Sequence, residues 1–124
     1  APHCFYRKEN VVVDFSMIPF NQDALRRMAG DGIIRNVCYN DDYVCRRVEL
    51  QVDYPDGSKR FFVMTDNGMT IYRKEVIIRE VYDKKSRNKE IRRLYHEEEL
   101  TQMFLAKVFR LSQSRISGIL NEDH

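Results

Sequence analysis

The spacing of the apolar residues changes near Tyr82, and this change limits the possible folds more than any other feature. Before it, residues 48–53 alternate between apolar and polar side chains, the period of two that is typical of a strand with one buried face. After it, apolar residues recur at intervals of three and four, as in amphipathic helices. The sequence therefore predicts an α+β protein, with a small β-rich part over residues 1–83 and a helical unit over residues 84–124.

Local signals place the elements of the β-rich part. Asn21 is a suitable N-cap for a short helix over Gln22–Ala29, which Gly30 would end. A hairpin is predicted over Val48–Met64, with its turn at Pro55–Ser58, because proline and glycine supply the backbone angles that such a turn needs. Further strands are predicted at Val11–Val13, Ile33–Tyr39, Met69–Tyr72 and Val76–Tyr82, the last of which also has a spacing that a helix would allow, and a turn is predicted at Asn40–Asp42.

The hairpin also suggests how the chain assembles. It is rich in β-branched and aromatic residues, so an unpaired edge there would join a second copy through main-chain hydrogen bonds. We therefore expect residues 1–83 to mediate self-association or contact with a partner, as a homodimer or a higher homo-oligomer.

Composition excludes some classes of protein. Hydrophobic residues make up 43% of the chain and charged residues 32%, which is ordinary for a globular protein. No apolar run approaches the ~20 residues that cross a bilayer, and the start of the chain lacks the pattern of a signal peptide. The expectation is an intracellular protein without membrane contact, in a nucleus or in the cytoplasm of a bacterium or phage host.

The three cysteines, Cys4, Cys38 and Cys45, are odd in number and widely spaced, which favours a reducing compartment and inert thiols over a disulfide framework. A zinc site is the less favoured alternative, because the paired spacing of a zinc knuckle is absent. No catalytic constellation and no glycine-rich phosphate loop stand in the sequence. We expect no enzymatic activity, no metal and no cofactor.

Positive charge is concentrated in the C-terminal third. The whole chain carries +2, but residues 84–121 contain nine basic and four acidic residues, a net charge of +5. Clustered positive charge near a helical segment is what phosphate contact requires.

Two short helices that meet at a tight turn are predicted over residues 101–121. Thr101 and Ser112 are suitable N-caps for the first and second helix. Ala106 is small enough to permit close helix packing, and Leu111 would fill the corner between the helices.

The second helix has two different faces. At 100° per residue, Ile116, Ile119 and Leu120 fall on one arc, which would pack on the first helix. The opposite arc is polar but uncharged, and its amide and hydroxyl groups suit the reading of base edges in a major groove. A merely solvated face more often carries lysine and glutamate. The candidate base-contacting residues on this arc are Gln113, Ser114, Ser117 and Asn121.

This pattern resembles the helix-turn-helix of the lambda-repressor-like superfamily. Gln102, Ala106, Leu111, Ser112–Ser114 and Ile116 match Cro-type repressors. The string Leu111–Ser114, followed by Ile116–Ser117 and Ile119–Leu120, is also similar to the CUT and CUT-like units of eukaryotic homeodomain-associated proteins, among them the special AT-rich-binding proteins. The resemblance covers only residues 100–121. Arg110 departs from it, since glycine often holds that position, and must adopt a left-handed conformation or lengthen the turn.

The resemblance implies that the second helix enters the major groove and that Gln102 contacts a phosphate. Together with the charge pattern, it gives this set of candidate phosphate contacts: Arg92, Arg93, Gln102, Lys107, Arg110 and Arg115. The predicted function is sequence-specific binding of double-stranded DNA by a transcriptional regulator such as a repressor. The main alternative is an oligomerisation or protein-interaction module in which the helices only pack. A third is a sheet that binds RNA or single strands.

Overall fold

The computed structural model describes residues 3–5 (backbone only), 18–41 and 45–122. The fold class is α+β, as predicted. The chain divides into two compact units, Ala1–Val76 and Ile77–His124, so the division follows Val76 rather than residue 83. Each unit is described separately below.

The first unit contains one helix and an antiparallel sheet. Helix α1 spans Gln22–Ala29, and its predicted ends are confirmed: the Asn21 side chain accepts a hydrogen bond from the Ala24 amide, and Gly30 closes the helix with a positive φ of 60°. The strands follow the order β1-β2-β3-β4-β5. They span His3–Phe5 (β1), Ile33–Asp41 (β2), Arg46–Asp53 (β3), Lys59–Asp66 (β4) and Ile71–Val76 (β5).

The predicted hairpin is present, but the expected free edge is not where the sequence placed it. Strands β3 and β4 pair antiparallel, with Val48 opposite Met64 and Asp53 opposite Lys59. β3 is also paired with β2, and β4 with β5. Because both hairpin strands are hydrogen-bonded on their two sides, neither offers an edge to a second copy. The edges of the described sheet are β1 and β5.

Two of the elements predicted for the β-rich part of the sequence were wrong. β2 continues through Asn40 and Asp41, which pair with Arg47 and Arg46, so no turn begins at Asn40. β5 ends at Val76, and residues 77–82 form neither strand nor helix. The predicted strand at Val11–Val13 lies outside the described residues.

One face of the sheet forms a core with α1. Leu25 and Met28 of the helix pack with alternate residues of β3, namely Val48, Leu50 and Val52, which are fully buried. Burying such side chains stabilises a fold by about 1.5–3 kcal/mol each. The alternation read from the sequence therefore identifies the face that packs on α1. The opposite face is not solvated as a strand with one buried face would have it, since Glu49 and Gln51 are buried as well.

The prediction of an inert thiol was wrong for Cys38. It lies buried in β2 and forms a disulfide, whereas Cys45 does not. Disulfides persist mainly in oxidising environments. The cysteines therefore give no support for a reducing compartment.

The second unit is built from three helices: α2 spans Lys84–His96, α3 spans Gln102–Phe109 and α4 spans Gln113–Asn121. Each of these helices contacts the other two. The apolar interior of the unit is formed by buried residues of the helices and of the α2–α3 connection: Ile91, Leu94, Leu100, Phe104, Leu105, Ile116 and Ile119. Among the described residues, no helix is both long and apolar enough to cross a membrane.

Candidate nucleic-acid interface

Helices α3 and α4 are joined by the three residues 110–112, the length of a tight helix-turn-helix connection. Thr101 and Ser112 cap the two helices as predicted. The Thr101 hydroxyl accepts a hydrogen bond from the Phe104 amide at 3.2 Å, and the Ser112 hydroxyl accepts one from the Arg115 amide at 3.0 Å. These caps satisfy amides that the first turn of a helix leaves without partners.

Arg110 adopts the left-handed conformation, with φ 56° and ψ 44°, so the turn is not lengthened. Two hydrogen bonds close the helix at this point: the Arg110 and Leu111 amides both donate to the carbonyl of Ala106, the second at 3.0 Å. This is the usual way for a helix to end at a left-handed residue. Arg110 therefore takes the place of a glycine at an energetic cost, and its charged side chain is exposed at the corner.

The two faces of α4 separate as the sequence predicts. Ile116 and Ile119 are fully buried, and Leu120 is half-buried at the margin. On the opposite side Gln113, Ser114 and Asn121 are exposed, and Ser117 is half-exposed. Most of the apolar side of α4 thus packs inside the helical unit, while its polar side lies at the surface.

Hydrogen bonding and backbone shape give this polar face a defined form. The Asn121 side-chain amide donates to the Ser117 hydroxyl at 3.4 Å, one helical turn away. Gly118 lies between them in sequence, and apart from its chain neighbours and the backbone of its own helix no atom of the described residues lies within 4 Å of where its Cβ would stand. At 100° per residue Gly118 lies at one margin of the face, between Ser114 and Arg115, and this margin is therefore low and open. Amide and hydroxyl groups occupy the rest of the face.

The candidate phosphate contacts do not all lie in equivalent surroundings. Arg110 is exposed beside α4, while Gln102 and Lys107 on α3 are half-buried. Lys107 already has an interaction within the protein. Of these three side chains, Arg110 is the most accessible.

Arg93 has a different role from the one expected. Its side chain is only 13% exposed, and its guanidinium donates to both oxygens of the Glu90 carboxylate, each at 2.7 Å. It also donates to the Ile77 carbonyl at 2.8 Å. The spacing of residues within α2 could not reveal this role, because the Ile77 carbonyl, to which Arg93 also donates, lies outside the helix. We therefore leave Arg93 out of the candidate contacts.

Arg92 and Arg115 meet at the C-terminal end of α4. Arg92 donates to the Ile119 carbonyl at 3.3 Å and to the Glu122 carboxylate at 3.0 Å, and Arg115 lies 3.7 Å from the other oxygen of that carboxylate. Glu122 was not among the residues predicted for this site. Its spacing of seven residues from Arg115, two helical turns, was the available signal. Arg115 is exposed and Arg92 is half-buried, and a carboxylate occupies part of the hydrogen-bonding capacity of both.

Two further observations concern a metal site and the binding of single strands on the sheet. No cluster of three or more histidine, cysteine or acidic residues that could hold a metal ion is present in the described part of the chain. On the sheet, Tyr39 and Phe62 are buried, so the aromatic set considered for single strands belongs in part to the core.

Comparison with known proteins gives no relative for this chain. It matches no family model, and no curated protein and no solved structure is significantly similar to it.

Proposed function

We propose that this protein binds double-stranded DNA through α4 and acts as a sequence-specific transcriptional regulator. The observation that supports this most strongly is the exposed face of α4. The apolar side of this helix packs inside the unit through the buried Ile116 and Ile119, and its open side carries amide and hydroxyl groups and one glycine, with Arg115 exposed at the margin, in a unit with excess positive charge. Such a face can donate to and accept from base edges, and it contains no carboxylate that would repel phosphate.

In this proposal the polar face reads bases and the arginines around it hold the backbone. Gln113 and Ser114, in the first turn of α4, are the leading base contacts, followed by Ser117 and Asn121. Arg110 and Arg115 contact phosphates, and Gln102 adds a neutral hydrogen bond. Direct base contacts from side chains of this kind discriminate between bases by about 1–3 kcal/mol each.

One α4 helix can read only a few base pairs, so selectivity requires a second reading unit. We propose a homodimer that binds two half-sites about one helical turn apart. The sheet of the first unit is the candidate for self-association, through one of its edge strands rather than through the hairpin. β5 is the better described edge, and Tyr72 on it is 59% exposed.

The test is to select bound duplexes from a random library with the full-length chain. We expect a palindromic site to be enriched, and binding to weaken steeply as salt is added, because phosphate neutralisation releases counterions. The variant Gln113→Ala/Ser114→Ala should lose the site preference and keep its affinity for random duplex. The matched control is Ser58→Ala, in the turn of the other unit, which should behave as the parent chain does.

A stable oligomer without affinity for duplex at low salt would overturn the proposal and favour an interaction module whose helices only pack. Competition by single-stranded oligonucleotides, at concentrations where duplex fails to compete, would favour binding on the sheet. Retention of the same site preference by the double variant would show that α4 does not read the bases.

A further inference from the structure

Helix α2 carries a stripe of basic side chains on the side that faces away from its buried residues. Lys85, Lys89, Arg92 and His96 are spaced by four, three and four residues, which aligns them along one side of a helix. Lys85, Lys89 and His96 are exposed. Leu94, which is fully buried, projects from the opposite side. We refer to these four residues as the α2 stripe.

The stripe is unusual for a helix face that only meets water. Solvated faces commonly alternate acidic and basic residues at this spacing, because like charges four residues apart destabilise a helix. No acidic residue interrupts the stripe. Lys85 and Lys89 make no ion pair with any described residue. Asp83, the N-cap near Lys85 in sequence, already accepts a hydrogen bond from the Ser86 amide. The charge of Arg92 is paired with Glu122, so the charges that the protein leaves without an ion pair among the described residues are those of Lys85 and Lys89.

Arg92 locates the stripe relative to α4. Because its guanidinium donates to the Ile119 carbonyl, the middle of the stripe lies beside the last turn of α4. Arg110 stands at the other end, in the turn before the helix. Basic side chains therefore flank the polar face of α4 at both ends, and at the C-terminal end the Glu122 carboxylate lies with them. From Gln113 to Asn121 the helix rises about 12 Å, similar to the width of a major groove with a phosphate backbone on each side.

We propose that the α2 stripe binds the phosphate backbone of duplex DNA on the side of the groove that meets the C-terminal end of α4, while Arg110 meets the backbone on the other side. This inference rests on the proposed function and extends the contact surface from α4 to a second helix. It assigns a binding role to Lys85 and Lys89. The backbone is contacted without regard to sequence, so the stripe contributes affinity rather than selectivity.

The test compares two double variants that remove the same amount of charge. Lys85→Gln/Lys89→Gln removes two members of the stripe. The control, Lys59→Gln/Lys84→Gln, removes an exposed lysine from a different side of the same helix and another from the start of β4 in the first unit. Binding to the selected site and to random duplex is measured between 50 and 200 mM salt, a range in which phosphate contacts change affinity strongly.

We expect the stripe variant to lower the slope of log K against log salt by about 1.8, or 0.9 for each lost phosphate contact. Its affinity should fall equally for all sequences, with the enriched site unchanged. The control should keep the parental slope. Equal slopes for the two variants would overturn the inference, as would a stripe variant that loses binding to vesicles of anionic phospholipid but not to duplex.

The outcomes separate this inference from the proposed function. If the stripe variant lowers the slope while Gln113→Ala/Ser114→Ala keeps the site preference, the stripe binds backbone but α4 does not read bases. If Gln113→Ala/Ser114→Ala loses the site preference while the stripe variant and its control have the same salt slope, base reading by α4 stands and the stripe inference fails. A parent chain without duplex affinity at low salt overturns both.

Discussion

The guanidinium of Arg93 and the carboxylate of Glu90 form a buried, two-pronged ion pair, with both N–O distances at 2.7 Å. The pair also holds the backbone that leads into α2, because Glu90 accepts from the Arg79 amide at 2.6 Å and Arg93 donates to the Ile77 carbonyl. Residues 77–80 therefore belong to the helical unit, although they form no regular element. This explains why the two units divide after Val76.

Replacement of Glu90 by glutamine should destabilise the helical unit strongly. The change leaves the Arg93 charge buried with only the more distant carboxylates of Glu97 and Glu98 near it, at 4.0 and 3.7 Å. Breaking a buried ion pair in this way costs about 3–5 kcal/mol, and we expect the lower end because those two carboxylates remain. The free energy of unfolding, from denaturant titration, measures this. The charge-matched control is Glu80→Gln at the surface; an equally small effect of both changes would contradict the assigned role.

The same pair should make stability depend on acidity. Burial raises the pKa of Glu90, but hydrogen bonds from Arg93 and from the Arg79 amide outweigh it, so the pKa lies below its ordinary value of 4.5. A carboxyl whose folded pKa is lowered contributes stability above the unfolded pKa and loses it as the pH falls through the folded value. We therefore expect unfolding free energy to decline below about pH 4.5 and to decline less in Glu90→Gln. Parallel declines in the two chains would contradict this.

Replacement of Glu122 by glutamine should strengthen binding to duplex DNA. Glu122 occupies Arg92 and Arg115 and also places a negative charge where a phosphate would come. Exposed ion pairs of this kind are worth up to about 1 kcal/mol, so affinity for all sequences should rise by up to about fivefold. Asp31→Asn removes the same charge from the first unit and should leave affinity unchanged. Weaker binding by Glu122→Gln would show that Glu122 positions the two arginines for contact.

Replacement of Arg110 by glycine should stabilise the chain and weaken its binding. Arg110 holds a left-handed conformation that costs a residue with a Cβ roughly 1–2 kcal/mol, and glycine adopts it freely. We expect the unfolding free energy to rise by about 1 kcal/mol while the salt slope falls by about 0.9, for one lost phosphate contact. Arg110→Lys keeps the charge and should keep the slope. A glycine variant with parental slope would remove Arg110 from the interface.

The two glycines Gly32 and Gly118 should respond in opposite ways to alanine. A Cβ at Gly32 would collide with the Val52 side chain and would lie 3.1 Å from the Ala29 carbonyl oxygen, whereas a Cβ at Gly118 would meet nothing within 4 Å. We expect Gly32→Ala to cost about 1–3 kcal/mol by overpacking and Gly118→Ala to add about 0.5–1 kcal/mol through helix propensity. Thermal unfolding measures both. If α4 lies against DNA, the more stable Gly118→Ala should also bind duplex less tightly than the parent chain.

The sequence by itself determined the elements whose signals are local. The caps at Asn21, Thr101 and Ser112, and the glycine that ends α1, act within four residues of where they stand, so the ends of the helices could be read from neighbouring residues. The face of residues 48–53 that packs on α1 and the two faces of α4 were equally readable, because each depends on the period of its own element. The burial of Glu49 and Gln51 on the other face of β3 was not readable in this way.

Only the tertiary structure decided what depends on partners distant in sequence. Val76–Tyr82 has the composition of a strand, yet β5 ends at Val76 and the following backbone is held by Glu90 and Arg93. The sequence of the hairpin predicted an unpaired strand edge, but β2 and β5 pair with its two strands. Arg92 and Arg93 are neighbours with the same charge, but their positions on α2 differ by 100°, which sends one to the end of α4 and the other into a buried ion pair. Periodicity gives the direction of a side chain from its own helix, and the packing of the other elements decides what that side chain meets.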